Sequence, residues 1–199
     1  MKQFFSTHSY NMVKMFLNQF AIALFGFILV LAAGQAENTT LRNVTSVFAI
    51  LFYLFLLYVM TWEIGFRDKV SVETGRKKRN PFTGALISLC ANSINFILAI
   101  FIMLASLLDV AVLSNIGGVC ASIAVFIEGM YTGLLANHVG GTALNSYWFV
   151  YFMLPIPAMV TCGIAYQLGV HDIKFTSLFD QVYPESAREP SKKRKNNHD

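Results

Sequence analysis

A single carboxylate, Glu128, interrupts an otherwise apolar stretch from Ile116 to Ala136. An ionisable group is costly in hydrocarbon. It tends to face protein or a water-filled cavity and to work as a proton or cation relay, or as counter-charge to a basic ligand. The plainer alternative places it near a helix end, with its carboxylate reaching lipid headgroups. A second apolar stretch carries Ser88, Asn92, Asn95 and Ala99, whose spacing keeps them on one face of a helix. Amides in such a segment need hydrogen-bond partners. Bonding between helices supplies them, and so does a polar lining for a solute or headgroup path. Glu128 is expected to pack against protein near the Asn92–Asn95 face, and Glu128, Asn92, Asn95 and Ser88 form the candidate polar site.

Other residues shape helices rather than react. Gly118, Ser122, Gly129 and Gly133 are spaced to share one helix face, and Gly129–Gly133 is a GxxxG match. Such a face lets backbones approach closely, within the chain or at a homodimer seam. Pro155 and Pro157 each remove a backbone donor and predict a kink or break, whose freed carbonyls can line a cavity. Trp62 suits an interfacial anchor, and Glu63 is one turn from Arg67, close enough for a local ion pair. Cys90, Cys120 and Cys162 are odd in number and lack a C-x-x-C, so they read as small buried hydrophobes rather than a disulfide or metal site. His8, His138, His171 and His198 are scattered, and no hydrolase, metalloprotease or nucleotide-binding motif occurs. No cofactor or metal is expected, and nothing positive supports an enzyme.

These residues sit in a chain that water alone would not keep in solution. Hydrophobic residues make up 55% of the 199 residues and charged residues 13%, against roughly a quarter charged in an ordinary soluble domain. Four apolar segments are long enough to cross hydrocarbon, about 12–33, 44–64, 83–108 and 147–169. The segment 116–136 is ambiguous: a fifth span, a re-entrant helix or an interfacial one. Six of the fifteen basic residues lie between Arg67 and Arg79, including the run Arg76, Lys77, Lys78 and Arg79, and five lie between Arg188 and Lys195. Concentration in one loop and one tail, without a nucleic-acid motif, fits membrane sidedness rather than nucleic acid. The loop and both termini are therefore expected in the cytoplasm. An even number of crossings follows: an all-α bundle of four transmembrane helices plus one re-entrant or additional membrane helix, with five spans and an outside tail as the alternative. Residues 171–183 read as an interfacial segment and 184–199 as a disordered basic tail. A signal peptide cleaved before Glu37 is a further alternative.

The run Trp62-Glu-Ile-Gly65-Phe-Arg67-Asp68, with Val70, Gly75-Arg76 and Asn80-Pro81-Phe-Thr-Gly84, resembles uncharacterised small polytopic membrane proteins of Firmicutes-type bacteria over about residues 50–100. The resemblance implies a bacterial plasma membrane and no activity. The expected function is a non-catalytic accessory or structural subunit of a membrane complex. The alternative is a small solute, ion or lipid transporter component using Glu128 and the Asn92/Asn95 face. An intramembrane enzyme is the least supported reading. The expected partners are membrane lipids, with anionic headgroups at the cytoplasmic face, and a membrane protein or a second copy of the chain.

Overall fold

The computed structural model describes residues 2–34, 38–76, 80–108 and 110–173, with side chains from His8 onward. The basic residues Lys77, Lys78 and Arg79, the tail 184–199, and most of the segment 171–183 lie outside the described residues, as does the junction before Glu37. The fold is all-α apart from one short hairpin. Helix α1 spans Lys2–Gly34 and α2 spans Thr39–Glu73. They run antiparallel, joined where the Asn38 side chain accepts from the Leu41 N–H and caps α2. α2 buries one stripe along its length, Ser46, Ala49, Tyr53, Leu57, Thr61, Ile64 and Gly65. Its opposite side is equally apolar, with Phe48, Leu51, Phe55 and Val59 exposed. A helix apolar all round suits a deep core or a lipid surround. α2 also runs well past position 64, so Arg67 and Asp68 are helical rather than part of a loop. Glu63 and Arg67 pair at 2.7 Å, both well exposed, which contributes little to stability.

The expected third span is not one helix. α3 covers Thr83–Ala91, α4 covers Ser93–Leu108, and the two bend by 58° at Asn92. The ambiguous segment begins earlier than expected, as α5 (Ala111–Ile127), and turns by 87° at Glu128 into a 3₁₀ turn, Gly129–Tyr131, and the short α6, Thr132–Leu135. The hairpin β1 (His138–Val139) and β2 (Thr142–Ala143) follows. Both of its central residues, Gly140 and Gly141, hold positive φ, which glycine adopts without strain. The last segment is α7 (Trp148–Met153) and α8 (Ile156–Val170). Pro155 is at the break between them. Pro157 is in the first turn of α8, where its missing N–H costs nothing, so the expected pair of kinks reduces to one.

Among the described residues three helices are long and apolar enough to cross a membrane, and the two bent pairs raise the number to five if each is a span. The bundle has two recognisable ends. At one, Arg42 of α2 donates to the Asn137 Oδ1 at 3.3 Å, and Asn137 donates to Asn43 at 2.9 Å. At the other, Lys69 pairs with Asp172 at 3.2 Å, and the Trp62 indole donates to the Ile173 carbonyl at 2.7 Å. α4 and α5 form a hairpin in which Gly117 packs on Ala105. α5 descends to Glu128 at mid-bundle, and the following turn climbs back past Gly26 of α1 to Arg42 of α2. The whole excursion 111–137 therefore returns to the end it came from.

Candidate functional site

Two helix breaks meet at the centre of the bundle. Asn92 ends α3, and its Nδ2 donates to the Ser88 carbonyl at 2.9 Å. Three residues on, Asn95 in the first turn of α4 donates to the Asn92 Oδ1 at 3.0 Å and to the Glu128 Oε1 at 2.5 Å. Gln19 of α1 donates to the same Oε1 at 3.0 Å. Ser88, Asn92, Asn95 and Glu128, expected on two separate segments, are thus one hydrogen-bonded group, all buried. The break at Asn92 replaces the continuous helical face read from the sequence. It lets the Asn92 and Asn95 amides be shared between the backbone of α3 and the carboxylate on α5.

Gln19 is the residue that sequence reading missed. It is fully buried at 0% exposure, on the same face of α1 as Met15, Ile22 and Ala23. The signal for it in the sequence is the amide pair Asn18-Gln19 inside the first apolar segment, which does not by itself say which of the two turns inward. Tyr53 of α2, beside Asn92 and within electrostatic reach of Glu128, and Tyr131, three residues past the carboxylate, complete the surround. Below them the Thr61 hydroxyl donates to the Cys162 Sγ at 3.4 Å, with Ser88 beside the same thiol. Cys90, Cys120 and Cys162 are free thiols.

The group has a one-sided electrostatic balance. Among the described residues no basic side chain acts on Glu128; what surrounds it is apolar burial and two amides. α3 and α5 both direct their C-terminal ends here, and C-terminal ends carry partial negative charge. The N-terminus of α4 offsets that of α3 in part. Several buried acceptors and hydroxyls lack a partner: the Gln19 Oε1, the Asn95 Oδ1 and the Tyr131 hydroxyl beside the carboxylate, and the Ser46 and Thr132 hydroxyls toward the Arg42 end. Buried polar atoms left unpaired are uncommon and call for an explanation such as water or an ion.

The small-residue stripe divides at the Glu128 turn. Gly129 presses on the Ala23 carbonyl of α1, and Gly133 on Arg42 and Ser46 of α2, leaving no room for a side chain at either position. Gly118 has nothing within 4 Å where a Cβ would stand, and Ser122 is exposed, its hydroxyl donating to the Gly118 carbonyl at 3.0 Å. The 87° bend puts the two halves of the stripe on different faces. Ser122 lines an open cleft of about 420 Å³ with Phe27, Asn145 and Tyr151. Arg76 is exposed beyond the end of α2, remote from the polar group. Among the described residues no three or more His, Cys, Asp or Glu side chains come together to hold a metal ion. Comparison of the chain with protein-family models, with curated proteins and with solved structures returns no match, so the functional reading stands on the Glu128 group itself.

Proposed function

We propose that the protein is an integral membrane transport component that carries a cation, either a proton or a metal ion, on Glu128. One observation carries this reading: an enclosed carboxylate with no basic partner among the described residues, held where two broken helices meet. Discontinuous helices converging on a polar site are a recurrent way for membrane transporters to bind ions, because the breaks expose groups that a continuous helix would occupy. The accessory-subunit reading is supported by the basic loop and tail, which suit anionic headgroups or an acidic partner. It leaves the Glu128 group without a role.

The test is flux. Vesicles reconstituted with the protein and loaded with a pH-sensitive dye or a radioactive alkali cation should relax an imposed gradient at least about tenfold faster than empty vesicles. Glu128→Gln keeps the shape and the acceptor oxygen but cannot carry the charge. It should relax like empty vesicles while melting within a few degrees of wild type. Full flux in Glu128→Gln, or no flux of either ion above background in wild type, would reject the reading.

The same reading includes four crossings and a re-entrant excursion 111–137, in a plasma membrane with both termini in the cytoplasm. It is supported by the return of that excursion to the Arg42 end and by the basic residues beyond the Arg67 end. In intact cells, single cysteines in a background lacking Cys90, Cys120 and Cys162 should label from outside at position 138 and not at position 76. The reverse pattern would invert the orientation, and labelling at neither or both would break it.

A further inference from the structure

We infer that the cation is a proton, exchanged with water by His8 and Asp68 at the Arg67 end and passed to Glu128 along a column of hydroxyl and thiol groups. The inference rests on the transport reading above and names its ion and its port.

The column begins on α2. Asp68, Thr61, Tyr53 and Ser46 follow one another at separations of seven, eight and seven residues, which keeps them on one face of the helix. At 1.5 Å per residue the stretch from 46 to 68 rises about 33 Å, enough to cross a hydrocarbon core of about 30 Å. α3 and α8 add groups at matching heights. Nearest the Arg67 end, the Tyr166 hydroxyl donates to the Asp68 Oδ2 at 2.8 Å, with Thr83 beside the same hydroxyl. One turn further in on α8, the Cys162 thiol lies between Thr61 and Ser88. Tyr53 comes next, with Cys162 on one side and Glu128 and Tyr131 on the other. From Thr83 to Tyr53 every one of these side chains is buried. Gly84 brings α3 into backbone contact with α8 beside Cys162 and Tyr166, which shuts lipid out of the column.

The chemistry of these groups selects the proton. Both amides at Glu128 turn N–H groups, not carbonyl oxygens, toward its Oε1. Inward-pointing hydrogens repel a metal ion, whereas a carboxyl group holds a proton on one oxygen while the other goes on accepting. Hydroxyls, thiols, carboxyls and imidazole both donate and accept, so each can take a proton on a lone pair while passing its own to the next group. One proton enters at the port, one reaches the Glu128 carboxylate, and the groups between end with the number they began with. The Asn92 and Asn95 amides have no free pair on nitrogen and only hold the carboxylate in place; Tyr53 leads past them. At the port, His8 is buried on α1 and shares a small cleft of about 110 Å³ with Asn11, Ile64, Arg67 and Asp68. Asp68 is half-buried and Arg67 exposed, so the cleft meets water. Imidazole is the side chain that gains and loses protons most readily near neutral pH. The charged and titratable groups facing His8 are Arg67 and Asp68 on α2 and, through Asp68, Tyr166 on α8.

Vesicles reconstituted with the full-length protein and loaded with a pH-sensitive dye report the port through relaxation of an acid step. His8→Ala and Asp68→Asn should each slow relaxation at least about tenfold, a modest share of what one positioned proton-transfer group contributes. Asp68→Asn still accepts from Tyr166, so it decides if His8→Ala fails to fold. Tyr166→Phe keeps the packing, removes the hydroxyl and should slow relaxation similarly. Imidazole added on both sides should restore most of the rate in His8→Ala by filling the vacated place, and none of it in His8→Ala combined with Glu128→Gln. Wild-type relaxation in His8→Ala, Asp68→Asn or Tyr166→Phe, with Glu128→Gln inactive, would overturn the port and its column and leave the transport reading standing. Slowing of His8→Ala that imidazole does not relieve would make His8 a structural residue and overturn its assignment. Relaxation of a sodium or potassium gradient but not of the acid step would overturn the proton. Failure of wild type to relax any of these gradients would remove the transport reading as well.

Discussion

Gly65→Leu should all but abolish folded protein, lowering the melting temperature by on the order of 10 °C or more. Gly169→Leu and Gly84→Leu should follow closely. The reason is backbone contact. A Cβ at Gly65 would strike the Tyr166 carbonyl, and one at Gly169 would strike the Trp62 carbonyl, so α2 and α8 touch reciprocally through two glycines. Gly84 of α3 stands against the Cys162 carbonyl of α8 in the same way. Flexible side chains can move aside; main chain inside a helix cannot. The helices would have to separate, and the close packing that holds membrane-type helices together would be lost along their length. Alanine at each position should give a smaller loss in the same order. Gly118→Leu is the control, since nothing lies within 4 Å of its missing Cβ, and it should melt like wild type. Thermal unfolding in detergent, followed by retention on size-exclusion chromatography, measures all of these. Equal behaviour of Gly65→Leu and Gly118→Leu would remove the argument.

These three glycines show where sequence reading stopped short. The GxxxG match drew attention to Gly129 and Gly133, while the closest contacts of α8 rest on glycines that have only a small residue as their partner one turn earlier. Thr61 precedes Gly65 by four positions and Ala165 precedes Gly169 by four, and both are fully buried. The broader small-xxx-small pattern would have found them. Long apolar helices were legible because hydropathy accumulates over twenty residues and tolerates an error of several at each end. The breaks were not. Nothing in the local spacing of Ser88, Asn92, Asn95 and Ala99 distinguishes a straight polar face from a bend at Asn92. The bend exists because the Asn92 amide bonds back to Ser88 while the Asn95 amide reaches a carboxylate thirty-three positions away. Glu128 was recognisable as the odd residue by its charge alone. That Gln19 would join it from α1 depended on how two distant helices pack, which one sequence does not record. The Gly140–Gly141 hairpin, by contrast, is local: two adjacent glycines at positive φ suit a two-residue turn.

Glu128→Leu should destabilise the fold, whereas Gln19→Leu, Asn95→Leu and Glu128→Leu combined should restore wild-type stability or exceed it, with no ion handling. The two outcomes follow from what each change leaves behind. Leucine at position 128 alone strands the Gln19 Nε2 and one contact of the Asn95 Nδ2 in an apolar interior, and a buried donor without a partner costs about 1–3 kcal/mol. The sum, about 2–5 kcal/mol, should lower the melting temperature by roughly 5–15 °C. Removing all three polar side chains together leaves the Asn92 Oδ1 without its Asn95 donor, while its amide keeps the bond to the Ser88 carbonyl. Replacing a whole buried polar group by apolar residues of similar volume is often neutral or stabilising, because the desolvation of the charge is no longer paid for. A cluster kept for the architecture would behave in the opposite way, and the triple variant would be the least stable of the set. Thermal melting of wild type, Glu128→Gln, Glu128→Leu and the triple variant, with gradient relaxation measured on the same preparations, separates the cases. Restored stability without flux means that the bundle tolerates the polar group for the sake of the ion. Flux that survives in the triple variant would mean that the ion travels elsewhere.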